Sequence, residues 1–286
     1  MYIFKVAYDG RYSFQQQPHK ETVCDKILDT FEDLNLLKTK KIVYSGGRTD
    51  KGVSALGNFV VLDINNEIEI NENTIKYINY KLNNFGIWIL GYKEIEEIPK
   101  VEYRHYRYIL PKIGQDIELM KVGAKKLVGT KSFHNFCKKD KSKEKSPIRT
   151  IYKIDIKENE FFITIDIIGE SFLWQMVRKI VSALNLVSLK EKPISWIDNL
   201  LSNNYKESPP PAVPEGLILI EAKVDVDYNY SEYILKKFKN YWFNNYFLNV
   251  IKTGLSRSIL EMCPGGAKGT PRAGVLVPRG FPGLKK

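Results

Sequence analysis

The order of strands and helices repeats along this chain, and this repeat restricts the fold more than any other feature of the sequence. In the first half, hydrophobic periodicity predicts strands at 2–8, 41–46, 57–64 and 87–92, a helix that follows a capping Thr22, and a helix at 71–82. In the second half it predicts strands at 106–110, 149–157, 160–168 and 217–220 and helices at 116–128 and 172–189. Each half therefore has the order βαββαβ.

Two βαββαβ units in tandem predict an α+β fold built from two ferredoxin-like, or RRM-like, units with antiparallel sheets. A cleft between the units is the natural place for a catalytic or binding site. We predict a first domain at 1–100, a second at 101–262 that includes a helical extension, and a tail at 263–286 that is disordered or non-native.

The helical extension, about Tyr230 to Leu260, is rich in aromatic side chains, among them Trp242, Phe243, Tyr246 and Phe247. These side chains either pack on the rest of the chain or form a subunit contact, and packing is the preferred interpretation. The tail after Met262 contains five basic residues and no acidic one, and 276–280 resembles an engineered protease-cleavage sequence. We leave the tail out of the fold.

Composition narrows the class of protein. With 43% hydrophobic and 27% charged residues among 286, the chain is neither disordered nor of low complexity. Its apolar runs are too short for a membrane span, and the start of the chain shows no export signal, so a soluble cytoplasmic protein is expected. Three cysteines and three histidines are too scattered for disulfides or a metal site. A net charge of +11 favours a polyanionic partner.

A glycine-rich loop between two predicted strands, YSGGRTDKGVSALG at 44–57, is the most informative segment. Its glycines allow close approach of a substrate, while Arg48, Asp50 and Lys51 supply charges of both signs. By composition alone, an ordinary turn in which Asp50 caps the following residues is the favoured interpretation. The order of residues excludes a Walker-type phosphate loop.

Five segments of the chain, in order, resemble the TruA family of tRNA pseudouridine synthases. They are Tyr8-Asp9-Gly10 with Gln17-Pro18 and Thr22-Val23, GRTDKGVSALG at 47–57, RHYRY at 104–108, FLWQMVRKIV at 172–181, and the proline-rich 209–217. The loop at 10–17 lacks the Gly-Trp pair of bacterial members, and Lys51 and Ser54 make the chain more similar to archaeal or eukaryotic ones.

The resemblance implies three catalytic residues. Asp50 would be the catalytic carboxylate, Arg178 the partner that keeps it ionised, and Tyr106 the aromatic residue beside the target base. The residues alone leave alternatives open. The helical wheel allows Arg178 to be a solvated surface arginine, and Tyr108 points the same way as Tyr106.

The resemblance also implies residues that contact RNA. Arg48 would occupy the space of the flipped nucleotide, with Lys51 and Arg104 as further basic contacts. The basic run at 138–145, which contains Lys138, Lys139 and Lys141, is either an arm that holds the tRNA backbone or a solvated hairpin tip.

The function implied is isomerisation of uridine to pseudouridine at positions 38, 39 and/or 40 of the tRNA anticodon arm, by a homodimer that needs no cofactor and no metal. The alternative from another class is a non-catalytic RNA-binding protein built of the same duplicated units. An acidic residue in a cleft that binds phosphates favours the enzyme. An enzyme for small phosphorylated metabolites is disfavoured, because no phosphate loop is recognised.

Overall fold

The computed structural model describes residues 1–65, 67–138 and 146–262. The chain forms two compact units, Met1–Asn229 and a second one that begins at Tyr230. The predicted tail at 263–286 lies outside the described residues, and so do Lys139 and Lys141. No helix in the described ranges combines the length and the hydrophobicity needed to cross a membrane.

The strands are β1 (Tyr2–Tyr8), β2 (Leu37–Ser45), β3 (Ser54–Ile64), β4 (Ile87–Glu94), β5 (Tyr103–Pro111), β6 (Gly129–Ser132), β7 (Ile148–Glu158), β8 (Phe162–Gly169), β9 (Leu217–Lys223) and β10 (Asn229–Tyr230). The α-helices are α1 (Val23–Asp33), α2 (Glu72–Leu82), α3 (Ile117–Leu127), α4 (Met176–Ser188), α5 (Ser195–Leu201) and α6 (Glu232–Met262). Short 3-10 turns occur at Asn83–Phe85, His134–Phe136 and Pro214–Gly216.

The predicted order of elements is confirmed in the first half, where β1, α1, β2, β3, α2 and β4 follow one another. The second half adds β6 and α5, which the periodicity did not predict. The predicted start of the fourth helix at residue 172 is wrong, because α4 begins only at Met176. Gln175, directly before it, has a φ of 62°, a left-handed conformation that an α-helix does not contain.

The first compact unit has a mixed α+β fold around one large, mostly antiparallel sheet. Neighbouring strands follow the order β4-β1-β3-β9-β5-β8-β7-β6, and β2 also pairs with β3. The pairs β1–β4, β1–β3, β5–β9, β5–β8 and β7–β8 are antiparallel. Helices α1 and α2 pack on each other beside the first half, and α3 and α4 beside the second.

Strand β3 connects the two halves of the sheet because it has two different neighbours along one edge. Its start pairs in parallel with β9, with Ser54 opposite Ile218 and Ala55 opposite Leu219. Its later part pairs with β2, up to Ile64 opposite Leu37. The loop between β2 and β3 therefore lies where the neighbour of β3 changes from β9 to β2, beside the second half of the sheet.

Local sequence explains why helix α1 begins where it does. The Thr22 hydroxyl accepts the Asp25 amide N–H at 3.1 Å, and the Asp25 carboxylate accepts the Thr22 amide N–H at 3.1 Å. This reciprocal capping box satisfies two amides that a helix start leaves open. Ile27 and Phe31 are fully buried, as the predicted apolar face requires. The predicted cap is confirmed.

The second unit is dominated by the 31-residue helix α6. Phe243, Tyr246 and Phe247 are 65%, 67% and 57% exposed, and Trp242 is 37% exposed. The preferred interpretation that these aromatics pack on the rest of the chain stays a prediction. A hydrophobic stripe of this kind, continued by Ile251, is typical of a surface that meets another molecule.

A glycine at the contact of β3 with β9 makes the close approach of the two halves possible. A Cβ on Gly57 would lie 2.5 Å from the carbonyl oxygen of Ile220. We expect Gly57→Ala to lower the free energy of unfolding by about 2 kcal/mol, since the strands must separate to admit the methyl group. Urea unfolding measures this. The control is Gly254→Ala, where no atom lies within 4 Å of the new Cβ; equal stability of the two variants would contradict the prediction.

Candidate active site

Buried polar side chains hold the loop at 46–53 against the sheet. Thr49 is buried, and its hydroxyl lies 2.8 Å from the hydroxyl of Tyr8 in β1. The amide N–H of Phe14 donates to the Thr49 carbonyl oxygen at 3.0 Å. Burial raises the pKa of the Tyr8 phenol, so this group remains a neutral hydrogen-bonding partner. These contacts anchor the loop to the strand and segment that precede α1.

Asn58 of β3 fixes the beginning of the same loop. Its side chain is fully buried, and its Oδ1 accepts the Gly47 amide N–H at 3.0 Å. Its Nδ2 donates to the Gly47 carbonyl oxygen at 2.9 Å and to the Tyr8 hydroxyl at 3.1 Å. One amide side chain thus satisfies both backbone groups of Gly47, as a buried loop requires.

Gly52 closes the loop in a conformation that favours glycine. Its φ is 94°, and a Cβ there would lie 2.7 Å from Cγ of Pro214. Its amide N–H donates to the Gly10 carbonyl oxygen at 2.8 Å, while the Val53 amide N–H donates to the Asp50 carbonyl oxygen at 3.1 Å. The backbone of the loop is held on both sides of Asp50, which leaves the Asp50 side chain directed towards the second half of the unit.

Asp50 forms an ion pair with Arg178 across the two halves of the sheet. Nη1 of Arg178 lies 2.8 Å from Oδ2 of Asp50, and the indole N–H of Trp174 donates to Oδ1 at 3.0 Å. The two partners are 128 and 124 residues away in the chain. The carboxylate is thus held by side chains of the second half, in contrast to the alternative of a local turn cap.

Arg178 is itself held firmly. Its Nε donates to the Ala212 carbonyl oxygen at 2.6 Å, and the Ala212 amide N–H donates back to the Arg178 carbonyl oxygen at 3.1 Å. Its side chain is only 11% exposed, whereas that of Asp50 is 32% exposed. The alternative of a solvated surface arginine is therefore wrong. A fixed guanidinium beside a partly open carboxylate stabilises the anion and leaves it accessible to a substrate.

The side chain of Tyr106 lies near this ion pair, and Phe172 packs against Tyr106. Their ring centroids are 5.3 Å apart in an edge-to-face arrangement. A Cβ built on Gly47 would lie 3.6 Å from the Tyr106 hydroxyl oxygen, so the phenol reaches the Asp50 loop. Burial raises the pKa of Tyr106 to about 12, with a further contribution from the nearby negative charge of Asp50. The phenol is therefore neutral at physiological pH.

Tyr108 points to the same side of β5 but has a structural partner. Its hydroxyl donates to the Val213 carbonyl oxygen at 3.0 Å, and its ring packs where a Cβ on Gly216 would lie. The pKa of Tyr106 responds to the charge of Asp50 and that of Tyr108 to the charge of Arg178, but only Tyr108 has its hydroxyl bound to a backbone carbonyl oxygen. The geometry thus separates two tyrosines that the strand pattern left equivalent.

The residues predicted to contact RNA are placed differently from one another. Arg48 and Lys51 are exposed on the same loop as Asp50. Arg104 is half-buried and donates to the carbonyl oxygens of Gly46 and Glu170 at 2.8 and 2.9 Å, so it also supports the loop. Lys138 is exposed, and its ammonium lies 4.3 Å from the ring centroid of Trp174.

Sequence reasoning missed two residues that the geometry makes important, Asn58 and Trp174. Asn58 is the polar residue at the start of an apolar strand run, directly after the recognised motif, and this lone polar position was a usable signal. Trp174 gave no such signal, because it lay within a stretch assigned to a helix. In the part of the chain that the structure describes, no cluster of three or more His, Cys, Asp or Glu is arranged to hold a metal ion.

This arrangement can support chemistry at a sugar carbon. An ionised carboxylate that is open on one side can attack a sugar or stabilise positive charge on it, and the neutral phenol of Tyr106 can stack on a base or exchange a proton with it. The neighbouring Phe172 provides an apolar surface. Basic side chains, Arg48 and Lys51, lie on the exposed side of the loop, where phosphates would approach.

Comparison with known proteins gives a consistent result. Residues 124–229 match the family model described as tRNA pseudouridine synthase. The chain is 62% identical over 261 residues to "tRNA pseudouridine synthase A" of Methanocaldococcus jannaschii, covering 91% of this chain and 99% of that protein. It is 47% identical over 266 residues to the protein of the same name from Methanococcus maripaludis strain C6, with 91% and 99% coverage.

More distant similarities are found as well. The "tRNA pseudouridine synthase A" of Pyrococcus abyssi is 34% identical over 245 residues, covering 82% of this chain and 89% of that protein. Among solved structures, a chain of "Structure of H/ACA RNP bound to a substrate RNA containing 2'-deoxyuridine" is matched with a TM-score of 0.35 and 14% identity, over 65% of this chain and 43% of that one.

We expect Asn58→Ala to impair the site as well as stability. It leaves both backbone groups of Gly47 without a partner and removes one of the two partners of the Tyr8 hydroxyl, which should cost about 3 kcal/mol of unfolding free energy and misplace Asp50. The control is Asn79→Ala, which removes three comparable hydrogen bonds away from the loop, two between α2 and β4 and one within α2. Turnover is measured at a temperature where both variants are folded. Equal turnover of the two would contradict a role of Asn58 in the site.

Proposed function

The chain belongs to the family of tRNA pseudouridine synthases, and we propose that the uridines it isomerises are those at positions 38, 39 and 40 of the anticodon arm. The enzyme converts uridine in tRNA to pseudouridine, as the shared family and the high identity over nearly the whole length of the relatives establish. The bond between N1 and the sugar carbon breaks, the base rotates, and C5 bonds to the same carbon. The C5 proton is released and N1 gains a proton, so no redox change or net hydrolysis occurs.

We assign the catalytic roles to Asp50, Arg178 and Tyr106. The single observation that carries this assignment is the ion pair between Asp50 and Arg178, formed between the recognised loop and the recognised helix. Asp50 supplies the anion beside the sugar, and Arg178 pairs with it and orients it. Tyr106 lies beside the target base, where its neutral phenol can take part in proton transfer.

The RNA-binding assignment covers Arg48, Lys51, Arg104, Lys138, Lys139 and Lys141. Arg48 would fill the space that the flipped nucleotide leaves, and its exposure two residues before Asp50 supports this role. Lys51 and Lys138 are exposed and can contact phosphates. The bonds of Arg104 to two carbonyl oxygens favour a supporting contribution for that residue.

The finer fold description belongs to the same proposal: ferredoxin-like units at 1–100 and 101–262. The strand orders support it. The first half has the order β4-β1-β3-β2, and the second has β9-β5-β8-β7. Without the short β6, the strands of the second half in chain order are β5, β7, β8 and β9. In both halves the fourth strand in chain order therefore lies at one edge, followed by the first, the third and the second. We also propose a cytoplasmic location, which a tRNA substrate supports.

Conversion of Asp50 to Asn should abolish catalysis while tRNA binding persists. The amide keeps the shape of the side chain but removes the negative charge, so turnover should fall at least ~10³-fold. Affinity for tRNA should stay within a few fold, since no positive charge is lost. Arg178→Met should also abolish turnover. Single-turnover release of tritium from uridine C5 measures catalysis, filter binding measures affinity, and sequencing of the treated tRNA locates each pseudouridine.

The matched control for this pair is Asp198→Asn, which removes the surface ion pair of Asp198 with Lys126. Such surface pairs contribute little, and this variant should turn over like the unmodified protein. Substantial tritium release by the Asp50→Asn protein would refute the assigned role of Asp50. Pseudouridine at sites other than 38, 39 and 40 would refute the assigned positions while leaving the catalytic residues intact.

A homodimer is the assembly we propose, with α6 as its contact. The exposed apolar side chains Phe243, Phe247 and Ile251 are four residues apart and form one stripe, which supports pairing with a second copy. Phe247→Lys should give a monomer in sedimentation equilibrium. Asn249→Lys introduces the same charge roughly 160° around the helix and should leave the dimer intact. A dimer that survives Phe247→Lys would exclude this contact.

A further inference from the structure

Trp174 contacts the catalytic carboxylate directly, although the proposed chemistry assigns it no role. Its indole N–H lies 3.0 Å from Oδ1 of Asp50, while Arg178 occupies Oδ2. Each carboxylate oxygen therefore has its own donor from the second half of the unit. An indole N–H can only donate and carries no charge, so it orients the carboxylate without competing with it for a proton.

The backbone around Trp174 is arranged to hold the indole in this place. Gln175 has the left-handed φ of 62°, and α4 begins only after it. This conformation is unfavourable for a residue with a side chain, and such strain concentrates at functional sites. Because Trp174 lies outside the helix, its side chain extends towards the Asp50 loop instead of following the face of α4.

A second residue, Lys138, also holds the indole ring of Trp174. The ammonium of Lys138 lies 4.3 Å from the ring centroid of Trp174, and the Lys138 amide N–H donates to the Trp174 carbonyl oxygen at 3.0 Å. Lys138 therefore binds both the backbone and the ring of the same residue. A cation over the ring also withdraws charge from it, which makes the indole N–H a better donor.

We propose that Trp174 is a positioning residue for the catalytic carboxylate, held in place by Lys138 and by the left-handed Gln175. It sets the rotation of the Asp50 side chain, so that the free lone pairs of the carboxylate face the sugar of the target nucleotide. Arg178 alone holds one oxygen, about which the carboxylate can still turn; a donor on each oxygen removes that freedom. This inference rests on the proposed role of Asp50.

The decisive variant is Trp174→Phe, which keeps an aromatic ring beneath Lys138 and removes the N–H. Loss of one hydrogen bond to a charged group should lower the single-turnover rate constant about tenfold or more. The Kd for tRNA should stay within about twofold, because no charge and no ring is lost. Trp174→His restores an N–H donor and should recover most of the rate.

The matched control is Trp196→Phe. The Trp196 indole N–H donates to the Glu207 carboxylate at 2.8 Å, so the variant removes the same kind of bond from α5. Its rate constant should be that of the unmodified protein. Thermal unfolding of all variants shows that each is folded at the assay temperature.

The outcomes are distinct. An unchanged rate constant for Trp174→Phe overturns the proposal. A loss of affinity with an unchanged rate constant also overturns it and makes Trp174 a stacking surface for RNA. A low rate constant that Trp174→His does not restore indicates a packing role of the indole and likewise overturns it. If Asp50→Asn remains active in the same assay, the proposed role of Asp50 fails first, independently of Trp174.

Discussion

The parallel pairing of β3 with β9 is the constraint on which the rest of the site depends. Only Ser54 and Ala55 take part, opposite Ile218 and Leu219. Because β9 begins directly after the segment that contains Ala212 and Pro214, this short contact brings that segment against the Asp50 loop. The ion pair with Arg178 can form only when this register is correct.

The electrostatics of the site follow from the unequal exposure of its two charges. Arg178 is nearly buried, and its guanidinium has two fixed acceptors, the Asp50 carboxylate and the Ala212 carbonyl oxygen. A buried ion pair is expensive when either partner lacks further hydrogen bonds. Here the arginine bears most of the burial and has its hydrogen bonds, while the carboxylate remains open enough to meet a substrate. The division suits a group that must stay ionised and still react.

Much of the fold follows from local patterns in the sequence. Thr22 and the apolar face after it specify α1, and alternation specifies β1 and β5. These elements depend on interactions within a few residues or on burial of one face, which periodicity reports directly. The pairing of β3 with β9 could not be predicted in this way, because β9 lies more than 160 positions away in the chain and the pairing leaves no local signal.

The site was predictable only as far as its motifs reach. The resemblance predicts Asp50, Tyr106 and Arg178 as site residues, but helical periodicity extends α4 back to Phe172 and so conceals Trp174. The apolar residues before Met176 continue the pattern of the helix, whereas in the structure Trp174 contacts Asp50 and Lys138, both distant in the sequence. For Arg178, a helical wheel shows that the residue lies on the polar side of α4. It does not show that the segment containing Ala212 covers the Arg178 side chain.

The two sides of the ion pair come from separate halves of the sheet, and this division connects folding with chemistry. The first half supplies Asp50 and the buried amide of Asn58 that holds its loop; the second supplies Arg178, Trp174 and Tyr106. Neither half alone can hold an ionised carboxylate between two donors. The isomerisation also needs the detached base to remain beside the sugar, which a site between two packed halves can ensure better than a loop on one surface. Joining the halves through one strand pair therefore creates the ion pair and its orientation in a single step.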